Sequence, residues 1–199
     1  MNRTDILQSL IDKYGLKKMC EIGVQAGHNF NAIKCEYKVG VDPDKSSAAT
    51  IYETSDEFFS KLKEKFDIYW IDGLHESPFV ERDIINALNN LNEGGFVCCH
   101  DMLPTNFHMT EIPLTDQNEW TGDCYKAFVK LRTERDDLTF RTVETDWGCG
   151  IITKNKEGVK SELLKVNVPI DYDNFCANKH EWMNVISVPQ FKQLYLQNE

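Results

Sequence analysis

Two rhythms of apolar residues alternate along the chain. Ile6, Leu7, Leu10, Ile11 and Tyr14 recur at helical spacing, which predicts a helix N-capped by Thr4 and stopped by Gly15. Residues 18–22 form a short apolar run leading into a turn with Gly23 and Gly27; a helix starting near Asn29 follows, with Phe30 and Ile33 inward. Residues 37–42 predict a second strand that ends in Asp42 before Pro43. Residues 44–53 fit either a helical piece around 46–50 or a short strand at 50–53. Thr54-Ser55-Asp56-Glu57 is a capping box, and the helix it opens turns Phe58, Phe59, Leu62 and Phe66 inward. Residues 67–72 are a solid apolar strand, expected to be central, that also ends in an acid.

Ser77-Pro78 reads as an N-cap with proline at the first helical position. Val80, Ile84, Ile85, Leu88 and Leu91 follow at helical spacing up to Gly94-Gly95, which are expected to end the helix. Residues 96–99 are another buried-type strand and deliver His100-Asp101. Residues 102–121 read as a long polar loop, of the kind used as a lid over a site. A helix with Tyr125, Phe128, Val129 and Leu131 precedes two strands, 138–143 and 149–153, joined across Asp146-Trp147-Gly148. From Asp173 the tail reads as helix interrupted at Pro189, a C-terminal extension over 173–199.

Strands alternating with helices imply βαβ units. The expected class is α/β: a Rossmann-like doubly wound sheet, mostly parallel, with an antiparallel edge hairpin and helices on both faces. A chain of 199 residues suits a single domain over 1–199. In such sheets ligands bind beyond the carboxyl ends of the strands, where Glu21, Asp42, Asp72, His100 and Asp101 fall.

Charge narrows the partners. A net charge of −10 and a pI near 5.0 repel phosphate backbones, so no nucleic-acid partner is expected. No apolar run approaches about 18 residues, so no membrane span is expected. The seven cysteines form no C-x-x-C pair and several lie in apolar runs. Reduced thiols and, with no signal-peptide pattern at the first residues, a cytoplasmic location are the expectation.

The glycine turn gives the first chemistry. Gly23 and Gly27 allow close approach of backbone to ligand. Asp42, 19 residues after Gly23 at the end of the second strand, suits a ribose diol, although it could also simply start the turn before Pro43. The G-x-G opening of a dinucleotide site is absent, and a carboxylate at Glu21 opposes a pyrophosphate but suits a ligand carrying an amino group.

Glu21-Ile22-Gly23-Val24-Gln25-Ala26-Gly27, Val39-Gly40-Val41-Asp42, the stretch from Phe66 to Asp72-Gly73-Leu74-His75, and Gly94-Gly95-Phe96-Val97-Cys98-Cys99-His100-Asp101 together resemble class I S-adenosylmethionine-dependent methyltransferases. The resemblance is to the branch with macrolide-sugar and glycan-cluster O-methyltransferases. It covers residues 18–101 in order and is weaker at Trp120-Thr121-Gly122-Asp123 and Asp146-Trp147-Gly148-Cys149-Gly150. It implies that the loop Glu21, Gly23, Val24 and Gly27 wraps the methionine part of S-adenosylmethionine, that Asp42 holds the ribose, and that Ser55 borders the adenine. Asn29 falls where the family has a small polar residue; touching the cofactor and capping the helix are both open. The acceptor implied is a small molecule or sugar bearing a hydroxyl.

In the related sugar enzymes the residue matching Asp72 binds a divalent metal and that matching His75 acts as base. Asp72 and His75 are accordingly the catalytic candidates, with a helix-start role for His75 as the alternative. The candidate metal ligands are Asp72, His100 and Asp101, for Mg²⁺ or a transition ion. The family carries an acid where His100 stands, and an imidazole suits transition ions better than Mg²⁺. The alternative is that Asp101 caps a turn while His100 lines the acceptor pocket. Of the other histidines, His28 lies in the turn, His108 in the lid, and His180 in the tail, where a structural role is expected. Trp120 and Trp147 are candidates for the mouth of the acceptor pocket. The competing functions are a nicotinamide-dependent oxidoreductase, against which the absent G-x-G and Glu21 speak, and a non-catalytic cofactor-binding module of the same fold.

Overall fold

In the computed structural model, which describes residues 1–114 and 119–197, the solid apolar runs pair side by side and the helical ones pack across them. Strands β1 (Lys18–Ile22), β2 (Tyr37–Val41), β3 (Phe66–Ile71) and β4 (Leu91–Cys99) are paired in parallel. Among the described residues β5 (Leu138–Val143), β6 (Cys149–Lys154) and β7 (Val185–Ile186) complete one sheet in the order β2-β1-β3-β4-β6-β5-β7. β6 runs antiparallel to both β4 and β5, and β7 runs parallel to β5. The sheet is the Rossmann-like, mostly parallel one expected, with its hairpin one strand in from the edge.

The alternation of side chains along each strand sorts the core into two layers. Cys20, Tyr69, Val97 and Ile152 face α4 (Ser77–Asn89), α5 (Cys124–Glu134) and α6 (Tyr172–Trp182). Met19, Ile68, Trp70, Cys98 and Ile151 face α1 (Arg3–Tyr14), Phe191 of α7 (Val188–Phe191) and Tyr195. Two short helices, α2 (His28–Ala32) and α3 (Ser55–Lys61), follow the turns after β1 and β2. Five of the cysteines, Cys20, Cys98, Cys99, Cys124 and Cys149, are buried thiols.

Tertiary contacts override several local signals. α1 is capped by Asn2, in a capping box with Asp5, because the Thr4 hydroxyl is committed to Asn29. Glu76 rather than Ser77 precedes α4, and Ser77 donates its N–H and hydroxyl to Asp123. α3 ends at Lys61, so Phe66 is the first residue of β3. Gly94 and Gly95 lie inside β4, where the β3–β4 register shifts; a Cβ on Gly95 would stand 2.5 Å from the Asp67 carbonyl oxygen. Residues 44–53 form turns, with Ile51 bridging to Val41. The loop after β4 is less polar than expected: Met102, Leu103 and Met109 are buried, and Phe107–Thr110 forms a 3-10 turn. The tail contains β7 as well as helix. Residues 115–118 of the expected lid and 198–199 of the expected tail lie outside the described residues.

Phe128, fully buried beneath the sheet and set edge-on to Phe140, ties α5 to the hairpin. Phe128→Ala is expected to destabilise the fold by about 3–5 kcal/mol in denaturant unfolding; a cost below about 1 kcal/mol would show that this contact does not hold the layer.

Candidate active site

The site is built where the carboxyl ends of β1 and β3 meet. Gly23 follows β1 with φ +84°, and a Cβ there would lie 2.0 Å from the Asp72 carbonyl oxygen, so no side chain fits. The turn continues through Gln25, also left-handed, to Gly27, which precedes α2. Asp42 braces this turn from the neighbouring strand. Its Oδ2 accepts from the N–H groups of Val24 (3.0 Å) and Gln25 (2.9 Å), and its Oδ1 accepts from Asp44 N–H (2.9 Å).

Glu21 is almost wholly buried and accepts from Asn29 Nδ2 at 3.0 Å, while Asn29 Oδ1 accepts from the Thr4 hydroxyl at 2.9 Å. Asn29 therefore does not cap α2, whose cap position is Gly27; it holds Glu21 to α1. Burial, with the nearby Asp72 charge, pushes the Glu21 carboxyl up to about 8.

Two cavities flank the turn. One, of about 360 Å³, is bordered by Glu21, Asn29, Asp72, His75, His100 and Asp101 among others. The second, of about 400 Å³, is bordered by Asp42, Ser55, Leu74, Phe79 and Asp83. Gly23, Gln25 and Asp72 border both. Burial pushes the Asp83 carboxyl up to about 6.

In the first cavity four side-chain atoms converge. Asp72 Oδ1 lies 3.5 Å from His75 Nε2 and 3.4 Å from His100 Nδ1. Asp101 Oδ2 lies 3.3 Å from His75 Nε2 and 3.1 Å from His100 Nδ1. The outer nitrogens are committed: His75 Nδ1–H donates to the Trp120 carbonyl at 3.0 Å, and His100 Nε2–H to the Asp146 carbonyl at 2.7 Å. In their neutral forms both rings therefore turn a lone pair toward the acids.

The charges respond to one another. Burial opposes the charge on Asp72, but His100 and His75 hold its carboxyl far below the usual range. Burial likewise opposes a proton on His75 and on His100, and the surrounding acids raise both above the usual imidazole range, His100 the more strongly. His100 and then Arg3 hold Asp146 low, against its partial burial.

All four of Asp72, His75, His100 and Asp101 come together as the motifs suggested, with Glu21 and Asn29 on the same wall and Asp42 and Ser55 across the turn. His28 and Trp147 also border the first cavity, and Trp120 does so while stacking on His75 at 5.1 Å. His108 pairs with Glu111 on the surface, and His180 is exposed on α6. Sequence reasoning missed Arg3, Asp146 and Asp123. Arg3 carries no local signal. Asp123 and Asp146 lie in the two weaker motif matches: Gly122, with φ +55°, lets that segment dock on the His75 carbonyl, and Asp123 N–H donates to the same oxygen at 3.1 Å.

Strand order, glycine turn and braced acid together form a Rossmann-like frame with a ligand-binding edge at the carboxyl ends of β1 and β3. Residues 20–102 match the family model described as a methyltransferase domain. Solved structures share the chain's fold. A Klebsiella pneumoniae chain provisionally assigned as an O-methyltransferase superposes with a TM-score of 0.60 at 15% identity, over 77% of this chain and 80% of its own. The Bacillus cereus O-methyltransferase, in complex with S-adenosylhomocysteine, gives 0.56 at 13% identity, over 77% and 80%. TomG from Streptomyces achromogenes, an O-methyltransferase of tomaymycin synthesis in complex with S-adenosylmethionine, gives 0.56 at 16%, over 76% and 79%. No curated protein sequence matches the chain. No described helix is long and apolar enough to cross a membrane.

The raised Glu21 carboxyl has a thermodynamic signature. The unfolded chain ionises this group near pH 4.3, whereas the fold keeps its proton to about 8. Between those values the native state binds the extra proton, so this group's contribution to stability falls as pH rises, by about 1.4 kcal/mol per pH unit. Glu21→Gln is expected to remove that slope from unfolding measurements between pH 5 and 8; an unchanged slope would place its source elsewhere.

Proposed function

We propose that the protein moves a methyl group from S-adenosylmethionine to a hydroxyl of a small molecule or sugar, with help from a metal ion. The observation that carries this reading is the placement of His75 Nε2 between two carboxylates, one glycine turn away from the cavity that Asp42 borders. A basic nitrogen then stands on the acceptor side of a donor site. The O-methyltransferases among the structural neighbours support it.

The donor's groups match the residues in kind. Glu21, steadied by Asn29, suits an ammonium; the bare backbone from Gly23 through Val24 to Gly27 suits the methionine chain; Asp42 suits the ribose diol; and Ser55 borders space for the adenine. The bound donor supplies an electrophilic methyl on sulfur. The protein's work is to align the acceptor oxygen and remove its proton. Because the Trp120 carbonyl takes His75 Nδ1–H, the acceptor's proton goes to Nε2, and Asp72 and Asp101 stabilise the imidazolium that results.

The donor set suits a metal. Each of the two carboxylate oxygens stands 3.1–3.5 Å from each of the two imidazole nitrogens, the spacing of adjacent ligands around an ion with bonds of about 2.0–2.2 Å. Each imidazole is backed by a carbonyl on its far nitrogen, the usual support of a metal-bound histidine. Asp72, Asp101 and the more deeply buried His100 would hold the ion; His75 is left as base. The imidazole favours a transition ion over Mg²⁺. Such an ion supplies positive charge that lowers the pKa of an acceptor hydroxyl. A single domain over 1–199, a cytoplasmic setting, and an acceptor contacted by the 102–121 segment and the tail complete the reading.

Labelled S-adenosylmethionine with a panel of hydroxylated small molecules and sugars tests the reaction. His75→Ala is expected to lower kcat by about 10²–10⁴ and leave donor affinity unchanged. In metal-free protein the acids raise the His75 pKa, so an NMR titration of that ring should have its midpoint above the usual imidazole value of about 6.5; a midpoint below that value would show that the two acids do not act on His75. Elemental mass spectrometry of the purified protein is expected to find a first-row transition ion that is lost in Asp101→Ala, and retention of the ion in that variant would move the metal elsewhere.

A further inference from the structure

We infer that Arg3 is a positioning residue of this site: its guanidinium dictates which oxygen of Asp72 and which nitrogen of His100 face the reacting centre. The inference deepens the methyl-transfer reading and rests on it for the word "reacting". Its geometry is independent of the reaction.

Arg3 lies in the first turn of α1, far in sequence from every motif. Its Nη1 donates to Asp72 Oδ2 at 3.1 Å, and Trp70 Nε1 donates to the same oxygen at 3.2 Å. With Oδ2 occupied by two fixed donors, Oδ1 is the oxygen presented to His75 and His100. The plane of the carboxylate is thereby set from behind.

The other face of the guanidinium grips Asp146. Nε and Nη2 donate to its two oxygens at 3.0 Å each, the planar, two-pronged pairing that arginine makes and lysine does not. The Arg3 backbone N–H adds a third bond to Oδ2, at 2.9 Å. Asp146 is in the left-handed region at φ +49°, followed by Trp147 at +55°, conformations that side-chain-bearing residues leave unless held. So held, Asp146 aims its main-chain carbonyl at His100 Nε2, 2.7 Å away. That carbonyl can only accept, so the proton sits on Nε2 and Nδ1 turns to Asp72 and Asp101.

The neighbouring residue extends the arrangement to the donor side. Thr4 holds Asn29, which holds Glu21. Adjacent side chains of α1 thus orient two acids of the first cavity, Asp72 and, through Asn29, Glu21.

The test compares native protein with Arg3→Ala, Arg3→Lys and Asp146→Asn. The native protein should show a slowly exchanging His100 Nε2–H resonance in ¹⁵N-edited NMR, assigned by its loss in His100→Gln. All three variants should lose it, including Arg3→Lys, which keeps the charge and the helix. In turnover, Arg3→Ala should lower kcat by about 10–100-fold with the donor KM within about twofold, and Arg3→Lys should not rescue it. A merely structural role would lower thermal stability but leave the resonance and kcat of folded Arg3→Lys intact, and that outcome overturns the inference. If the resonance behaves as expected but native protein methylates no acceptor, positioning by Arg3 stands and the methyl-transfer reading falls.

Discussion

Three carboxylates, Asp72, Asp101 and Asp146, are crowded at one end of the sheet, each largely shielded from solvent. Charges of like sign about 4 Å apart repel by about 4 kcal/mol in the effective medium near a protein surface. Positive charge must therefore enter the same space, and it does so from three separate parts of the chain. His75 comes from the loop after β3, His100 from the end of β4, and Arg3 from the N-terminal helix. Neither the acids nor the bases would be stable there alone. Mutual neutralisation is what lets a chain of net charge −10 assemble so acidic a cluster.

The backbone around this cluster is bent to suit it. Asp101 and Asp146 both adopt left-handed conformations, and the chain after Asp101 is locked to the hairpin turn by Met102 N–H to the Gly148 carbonyl and Leu103 N–H to the Trp147 carbonyl. Gly148 is needed where these segments cross, since a Cβ would meet Leu103 at 2.6 Å. The antiparallel hairpin thus serves as a rigid outer wall: β4 pairs with it on one side and the tail strand β7 on the other. The Glu21 side of the turn works oppositely. It is poor in positive charge, its acid stays neutral well above the usual carboxyl range, and its shape comes from main-chain bonds to Asp42.

Much of this was legible in the sequence because it is local. Solid apolar runs ending in acids marked β1, β2, β3 and β4, and the acids fell at the ligand-binding edge, because strand and turn are encoded by neighbours. The Thr54–Glu57 box marked the start of α3 for the same reason. What was not legible depends on residues distant in sequence. Thr4 looked like a cap because nothing in its surroundings announces Asn29; Ser77 looked like a cap because nothing there announces Asp123. Gly94-Gly95 resembles a helix stop, yet the shift in β3–β4 register absorbs it. The two residues of β7 are too few to show a period, and Arg3 shows no pattern at all until α1 packs against the hairpin.

The contact between Gly23 and the Asp72 carbonyl has a consequence for how such a protein can change. The two cavities share a border at Gly23, Gln25 and Asp72, and at Gly23 that border is close-packed main chain. Substitution alters side chains, not the distance between two strand ends joined by an Asp72 N–H bond to the Ile22 carbonyl. The separation between the two sites is thus inherited with the sheet. The outer rim, where Leu114 and Glu119 border the first cavity, lies outside that constraint.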